Sequence, residues 1–327
     1  MILAGDIGGT NTRLALFNDR MKLVGKPQKF PTGDGKQLEA YMRQVLADPR
    51  AKGVTRSCLA IAGPVIDGVC RATNIGRTFV ADDLRKSAKL KSLTLINDLV
   101  ANAAGVERLD AKELAVVQKG KPQRGNAAIV SPGTGLGEAS MIWDGRFHRP
   151  TASEGGHSRY APTNDLECEL LADLIKKYGD TVVCEDVVSG RGLENIFNFF
   201  VLRGEKVSDD LQAKLDALPE RKRGSVISAA ALAKESPAAV VAMELFVKAL
   251  AIEAASIAVK VMAINGVYLG GGIPPRILPL LKTKLFRETF CNHRLMGKLL
   301  KTIPIKVILN DDTALEGAAL YGLRFDA

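Results

Sequence analysis

A glycine-rich strand–turn–strand pattern occurs twice in this chain and restricts the folds open to it. The first copy, GDIGGTNTRLALF, spans residues 5–17, and the second, IVSPGTGLGEASMIW, spans residues 129–143, starting about 125 residues later. In each copy a turn of glycine and threonine joins two apolar runs, which is typical of a hairpin. A repeat at this distance predicts two related domains, each with one glycine-rich hairpin, and a ligand is expected in the cleft between such domains.

Short apolar runs alternate with segments of helical periodicity, which predicts an α/β protein with mixed sheets. The strand-like runs are residues 2–6, 12–18, 57–63, 92–98, 126–132, 137–144, 266–272 and 303–309. The helical segments are 35–47, 80–90, 164–178, 191–203, 226–234, 237–263, 275–291 and 313–324. A length of 327 residues is enough for two such domains.

Composition narrows the class of protein. Hydrophobic residues make up 46% of the chain and charged residues 25%, which is ordinary for a globular protein. The most apolar stretch, residues 237–263, contains four charged residues, so it is predicted to be a buried helix and not a membrane span. Residues 1–5 run directly into the first hairpin without a leader-like apolar segment, so we expect a cytoplasmic protein without a membrane partner.

Cysteine and charge content argue against metal and nucleic-acid sites. The five cysteines have no CxxC spacing and fit reduced thiols in the cytosol, and only three histidines are present. The net charge of +9 raises nucleic acid as a partner, but the basic residues are dispersed and aromatic residues make up 5% of the chain. We therefore expect a solvated basic surface that attracts phosphorylated substrates, and no nucleic-acid partner.

The two hairpin turns are suited to binding phosphate. Glycine accepts positive φ, so a tight turn can aim several backbone N–H groups in one direction, and threonine hydroxyls add donors. Asp6 beside the first turn fits a holder of Mg²⁺ through water, because this hard cation prefers oxygen ligands. Either turn alone is explained equally well as a plain hairpin turn. The turn residues are Gly8, Gly9 and Thr10 in the first hairpin and Gly133, Thr134 and Gly135 in the second.

A third glycine cluster, residues 270–275, ends one strand-like run and opens a helical segment. Its Gly271 and Gly272 could let a nucleotide approach the backbone, although a plain connection explains them as well. The pattern GxxxxGK[ST] is absent, and residues 133–137 read GxGxG and not GxGxxG. The sequence therefore favours neither a P-loop nor a Rossmann site.

A separate set of polar residues suits the hydroxyl groups of a sugar. Asn97 and Asp98 follow an apolar strand, Glu154 and His157 flank a Gly-Gly pair, and Glu185 lies in the segment CEDVVSG. Together they offer the mixture of donors and acceptors that a sugar ring requires. The alternatives are that the Asn-Asp pair caps a helix before LVANAAG and that His157 is a partly buried structural histidine.

These motifs, in this order, resemble those of bacterial-type glucokinases of the hexokinase/actin/Hsp70-like superfamily over essentially the whole chain. The stretches that carry the resemblance are GDIGGTNTRLAL, Gly63-Pro64, Thr73-Asn74, LINDLVANA, GTGLGEA, EGGH, EDVVSG, LGGGIPPR and LEGAAL. The resemblance implies two domains of duplicated RNase H-like (actin/hexokinase-like) fold flanking a cleft. It implies a small domain at 1–108, completed by 312–327, and a large domain at 109–311.

The resemblance also implies a reaction, namely ATP- and Mg²⁺-dependent phosphorylation of glucose at O6 as the first step of glycolysis, by a homodimer. It assigns Asp98 as the catalytic base and Asp6 as the residue near Mg²⁺. The implied sugar ligands are Asn97, Asp98, Glu154, His157 and Glu185. The implied nucleotide contacts are Gly8, Gly9, Thr10, Gly133, Thr134, Gly135, Gly271 and Gly272.

Two departures from the family pattern leave details open. Ser131-Pro132 stands where many superfamily members carry an aspartate, and Ser158-Arg159-Tyr160 follows EGGH in place of a more acidic and apolar run. The cysteine-rich zinc motif of the related sugar-responsive repressors is absent, so a repressor is not expected. Three alternatives remain: a kinase for another hexose, a kinase that uses polyphosphate or ADP as donor, and a non-catalytic actin-like nucleotide-binding module.

Overall fold

The structure, a computed structural model, describes residues 1–73, 75–219 and 222–325. Asn74 of the Thr73-Asn74 motif and the last two residues of the predicted segment 312–327 lie outside the described residues.

The strands are β1 Ile2–Ile7, β2 Asn11–Phe17, β3 Leu23–Pro31, β4 Arg56–Ile61, β5 Val65–Ile66, β6 Val69–Ala72, β7 Arg77–Val80, β8 Ser92–Asn97, β9 Leu114–Gln118, β10 Ala127–Pro132, β11 Leu136–Trp143, β12 His148–Ser153, β13 Gly266–Leu269 and β14 Ile305–Ile308.

The helices follow the same chain order. They are α1 Leu38–Leu46, α2 Ala81–Ser87, α3 Asp98–Gly105, α4 Asp165–Tyr178, α5 Gly190–Leu202, α6 Asp209–Asp216, α7 Gly224–Ala233, α8 Pro237–Lys260, α9 Leu278–Leu281, α10 Lys284–Cys291, α11 Gly297–Leu300 and α12 Thr313–Arg324. Short 3₁₀ helices include Val106–Arg108, Gly155–His157 and Cys184–Asp186. Strands and helices alternate along most of the chain, which confirms the predicted α/β class.

The chain forms two compact units. The first unit comprises Met1–Glu113, Asp144–Ala152 and the C-terminal segment from Asn310. The second unit comprises Leu114–Trp143 and Ser153–Leu309. The sequence-based domain limits, 1–108 with 312–327 and 109–311, stay a prediction.

The sheet of the first unit has the strand order β3-β2-β1-β4-β8, in which β1, β4 and β8 are parallel and β1–β2 is an antiparallel hairpin. Successive side chains of a strand point to opposite faces, so each strand contributes side chains to a hydrophobic core on either side of the sheet. Leu3 and Ile7 of β1 pack with helices α1 and α2 on one face, whereas Ile2 and Ala4 pack with α12 on the other. Asp6 therefore shares the α12 face.

The second unit repeats this arrangement around its own hairpin. The central strands run in the order β11-β10-β13-β14-β9, with β10–β11 antiparallel and β10, β13 and β14 parallel. Each unit thus has a hairpin whose first strand also pairs with a parallel neighbour, which confirms the internal repeat seen in the sequence. Helix α8 is buried along most of its length, as predicted for residues 237–263.

Several predicted elements differ from the structure. The predicted helix at 275–291 is wrong as a single element, because the chain forms α9 and α10 with a break at Lys282–Thr283. The glycine cluster at 270–275 does not open directly into a helix, since α9 begins only at Leu278. Strands β3, β5, β6, β7, β9 and β12 were not predicted. Most of these are short or amphipathic edge segments, whose apolar pattern is weak.

All five cysteines are free thiols, as expected from their spacing. No helix within the described ranges is both long and apolar enough to cross a membrane.

Candidate active site

The first hairpin turn is closed by a hydrogen bond from Gly8 N to Asn11 O at 3.0 Å, and Gly9 and Thr10 are exposed. Gly8 does not have a positive φ, which corrects the expectation that left-handed backbone explains the glycine here. An added Cβ at Gly8 would lie 3.3 Å from Asn11 O. The reason for glycine in this turn is therefore space at the backbone.

Asp6 is held by an arginine of the neighbouring strand. Arg13 is its partner in the β1–β2 register and donates to Asp6 Oδ2 from Nη2 at 2.6 Å and from Nε at 3.2 Å. Arg13 Nη1 also donates to Asp312 Oδ1 at 2.8 Å. Burial alone would lower the pKa of Arg13, but the carboxylates of Asp6 and Asp312 outweigh it and raise that pKa. Asp6 therefore has one fully charged partner that fixes its orientation.

The residues around Asp6 are compatible with Mg²⁺ that is bound mainly by phosphate and water. The described residues contain no cluster of three or more acidic, histidine or cysteine side chains that could hold a metal alone. Mg²⁺ in kinase sites commonly takes one or two carboxylates and completes its shell with substrate phosphates and water. A single carboxylate beside a glycine turn fits that pattern.

The second hairpin turn, like the first, is closed by a backbone hydrogen bond within the turn. Gly133 N donates to Gly135 O at 2.8 Å, and Gly190 N donates to Gly133 O at 2.8 Å. Nothing lies within 4 Å of a Cβ placed on Gly133, and its φ is not positive. Thr134 is exposed at the tip. Ser131 takes the position that Asp6 has in the first hairpin, and its buried Oγ has no hydrogen-bond partner among the described residues.

The third glycine cluster lies beside the second hairpin. Gly271 has φ +76°, and a Cβ there would lie 2.6 Å from Pro132 O. Gly272 has open space around it, and both glycines are exposed. The structure therefore brings the predicted nucleotide contacts of residues 133–135 and 271–272 to the same end of the second unit's sheet.

Asn97 and Asp98 join strand β8 to helix α3. Asn97 is the N-cap, and its Oδ1 accepts from Leu99 N at 2.8 Å and Val100 N at 3.3 Å. Its Nδ2 donates to Gly63 O at 3.1 Å, which ties the helix start to the Gly63-Pro64 motif. The capping alternative is thus correct for Asn97. Asp98 is the first residue of α3, half-buried at the positive end of that helix.

Glu154 and His157 lie together at the ends of one turn. The 3₁₀ helix Gly155–His157 brings His157 Nδ1 to 3.4 Å from Glu154 Oε2. Their side chains are 52% and 62% exposed, so both polar heads can reach a ligand. The alternative of a partly buried structural histidine does not fit His157, because this residue is exposed. Gly156 is required for packing, because a Cβ there would overlap Leu136 O.

Glu185 connects the sugar-type residues to the second hairpin. Its Oε2 accepts from Leu136 N at 2.9 Å, and its Oε1 accepts from Arg191 Nη2 at 3.1 Å. Arg191 also donates to the buried Asp186 at 2.8 Å. A Cβ at Gly135 would displace the Glu185 carboxylate from this position. Glu185 is therefore a fixed acceptor directly behind the hairpin turn.

Three residues of these sites were missed from the sequence. Arg13 and Arg191 hold the predicted carboxylates of Asp6 and Glu185, and Glu138 lies beneath Gly155. A signal existed for Arg13, since an antiparallel hairpin with a tight turn pairs it with Asp6. None existed for Arg191 or Glu138, because their partners come from other elements.

Comparisons with known proteins agree with these features. A model of the glucokinase family matches residues 3–324. A curated glucokinase from Synechocystis sp. is 36% identical over 344 residues, with 97% of this chain and 96% of the relative covered.

Solved structures give the same result. A glucokinase from an Antarctic psychrotroph superposes with a TM-score of 0.82 at 28% identity, covering 98% of this chain and 97% of the other. The glucokinase of Balamuthia mandrillaris in complex with glucose has a TM-score of 0.80 at 25% identity, covering 99% and 93%. A match of this extent in both sequence and fold, on a chain with the hairpins and polar residues described above, means that the protein belongs to the glucokinase family.

Proposed function

We propose that this chain transfers the γ-phosphoryl group of ATP to O6 of glucose, giving glucose 6-phosphate and ADP. The observation that supports this reaction most is a hydrogen bond within the second unit, which joins the glycine-rich hairpin to a carboxylate suited to binding a sugar. Leu136 N, directly after the hairpin turn, donates to Glu185. A protein that only bound nucleotide would have no use for such a carboxylate. Membership of the glucokinase family supports the same reaction.

Asp98 is the proposed catalytic base. In phosphoryl transfer the protein mainly positions the reactants and stabilises charge. A carboxylate that accepts the proton of the primary hydroxyl of glucose, as its oxygen attacks the γ-phosphorus in line, contributes a further factor of about 10²–10⁴. Asp98 suits this role because the rigid junction of β8 and α3 fixes its backbone.

Other polar residues hold the sugar. We assign ring hydroxyl contacts to Asn97, Glu154, His157 and Glu185, together with Asp98. Glu185 is prevented from turning away by Leu136 N and Arg191, so its lone pairs point in defined directions. Glu154 and His157 are exposed and can adapt to the ligand.

Backbone groups and one metal ion offset the phosphate charge. We assign the phosphates of ATP to the turns at Gly8, Gly9 and Thr10 and at Gly133, Thr134 and Gly135, with Gly271 and Gly272 on the nucleotide side. Mg²⁺, when bound near Asp6, neutralises developing charge on the phosphoryl oxygens. A cytoplasmic homodimer is part of the same proposal and rests on the family alone.

The test is ADP release with Mg-ATP against glucose, mannose, fructose, galactose and N-acetylglucosamine, with Asp98→Asn beside the natural chain. We expect turnover on glucose and a kcat reduced about 10²–10⁴-fold in the variant. Glucose affinity by calorimetry should change little. Asp165→Asn is the matched control, because Asp165 is also the first residue of a helix, α4.

Each outcome has a clear meaning. A near-native kcat for Asp98→Asn removes Asp98 from the role of base. Strong turnover on another hexose moves the specificity to that sugar. Tight nucleotide binding without turnover on any of these sugars contradicts the kinase proposal with ATP as donor.

A further inference from the structure

Two acidic side chains are buried together in the second unit. Glu138 comes from strand β11 and Glu253 from helix α8, and the residues are 3% and 7% exposed. The two carboxyl groups interact directly. Oε1 of each is buried without a hydrogen-bond donor among the described residues. Two buried carboxylates that face each other repel, whereas one proton between them converts the repulsion into a hydrogen bond.

The surroundings favour the protonated form of the pair. Burial first, and then the charge of Glu253, raise the pKa of Glu138 to about 8. Lys260 at the end of α8 acts in the opposite direction but is outweighed. Cys184 faces the pair from the 3₁₀ turn Cys184–Asp186, and burial together with Glu253 raises its pKa to about 12. The thiol is therefore neutral, and burial favours a proton on the Glu138 carboxyl group over a second buried charge.

Each of the two carboxyl groups has a further contact. These contacts connect the pair to the turns that carry the proposed sugar ligands Glu154, His157 and Glu185. The Glu138 carboxylate lies against Gly155, where a Cβ would overlap it. Glu253 Oε2 accepts from the Cys184 thiol at 3.2 Å. Cys184 N in turn donates to Ser158 O at 2.9 Å. The pair therefore supports both the turn that carries Glu154 and His157 and the turn that carries Glu185.

We propose that Glu138 and Glu253 are positioning residues that share one proton and thereby hold the Glu154–Ser158 and Cys184–Glu185 segments in the geometry that binds glucose. Neither residue touches the substrate. When the shared proton leaves, the two carboxylates separate and the segments above them lose their support. This inference rests on the proposed roles of Glu154, His157 and Glu185.

The first expected result is a pH-dependent glucose affinity in the natural chain. One pH unit above the pKa, the protonated share of a carboxyl group is about one tenth. Apparent affinity falls in proportion to the competent fraction, so the calorimetric Kd for glucose should rise about tenfold from pH 7 to pH 9. The kcat at saturating glucose should change little over the same range, because saturating sugar restores the competent form.

The variant Glu138→Gln distinguishes an effect of the shared proton from an effect of side-chain packing. The amide has the shape of the carboxyl group and donates to Glu253 at any pH, so the Kd for glucose should stay near its neutral value up to pH 9. Glu138→Asp shortens the side chain and moves it away from both partners, so its Kd should be raised already at pH 7. Glu169→Gln is the control, because Glu169 is exposed and pairs with Arg203 on the surface, and the Kd of this variant should follow the natural pH profile.

Thermal unfolding without sugar tests the shared proton independently of the proposed function. A carboxyl group whose pKa is raised in the folded state destabilises the fold as pH rises from its unfolded value near 4.5 to about 8. The thermal midpoint of the natural chain should fall across this range, and Glu138→Gln should flatten the fall. A chain that phosphorylates no sugar but shows this difference contradicts the proposed function and not the shared proton.

Two results would overturn the inference. One is a Glu138→Gln variant whose glucose Kd rises with pH as steeply as that of the natural chain. The other is a Glu138→Asp variant with natural glucose affinity at pH 7.

Discussion

Individual glycines in the predicted phosphate turns are needed for different physical reasons. Gly271 has φ +76° and lies against Pro132 O, so any side chain there strains the backbone and collides with it. Gly133 has an ordinary φ and open space where a side chain would be. The fold therefore does not require glycine at 133, and the empty space is what a bound phosphate would need.

Gly133→Ala should consequently leave the fold intact and weaken ATP binding. We expect the free energy of unfolding in urea to change by less than about 0.5 kcal/mol, since no atom is displaced. The KM for ATP should rise at least about tenfold, because the methyl group fills space close to the phosphates, while the KM for glucose should stay the same. Gly271→Ala is the contrasting variant and should lose stability. An unchanged KM for ATP in a stable Gly133→Ala protein would exclude this turn from the nucleotide site.

The predicted carboxylates could be found from the sequence, but their partners could not. Asp6 and Glu185 each have an arginine partner, but only Arg13 is paired with its carboxylate by a hairpin register, which the sequence predicts. Arg191 reaches Glu185 because helix α5 starts at Gly190, the last residue of the CEDVVSG segment, and its first turn lies back toward Glu185. Side-chain direction at a helix start is decided by packing, which a single sequence does not reveal.

At the scale of elements, one ion-pair cluster joins three segments of the first unit that are far apart in sequence. Glu107, in the 3₁₀ helix Val106–Arg108, accepts from His148 N at the start of β12 at 3.0 Å, and from Arg324 at the end of α12. Burial alone would raise the pKa of Glu107, but His148 and Arg324 outweigh it and lower that pKa to about 2. Neither β12 nor this cluster was predicted from the sequence.

The cluster predicts a specific acid sensitivity. Because the pKa of Glu107 in the folded state lies below its unfolded value of 4.5, its stabilising effect is complete above that value and is lost as pH falls toward 2. Allowing for partial exposure, we expect about 1–2 kcal/mol of unfolding free energy to disappear over this range. Glu107→Gln should be less stable than the natural chain at pH 7 and equally stable near pH 2. Urea unfolding at several pH values measures this, and parallel profiles for both proteins would contradict it.

Nearly continuous apolar sequence made the central strands and the long helix α8 predictable, whereas the edge elements have too few apolar residues to be recognised. Helix α6 and strand β3 are largely exposed, so their apolar residues are too sparse to mark them. The break between α9 and α10 was missed because Lys282 and Thr283, which form it, include neither glycine nor proline.

At the scale of the whole molecule, the net charge of +9 is opposite in sign to that of the proposed phosphate donor, ATP. A positive field accelerates the encounter with MgATP²⁻ and is screened by salt. We expect kcat/KM for ATP to fall several-fold between about 0.05 and 0.5 M NaCl. The KM for glucose, a neutral sugar, should change much less. An equal effect of salt on both substrates would point to a general effect on the enzyme and against electrostatic attraction of ATP.

The sequence by itself determined the α/β class, the duplicated hairpin and the membership of the glucokinase family, because glycine turns and buried strands leave local patterns. It also identified the polar residues of the proposed sugar site by type. Only the tertiary structure decided how those residues are held: Asp6 by Arg13, and Glu185 by Arg191 and Leu136 N. It also placed the buried Glu138 against Gly155 of the EGGH turn. The reason is physical, since the charge state and direction of a side chain depend on neighbours that only folding brings near.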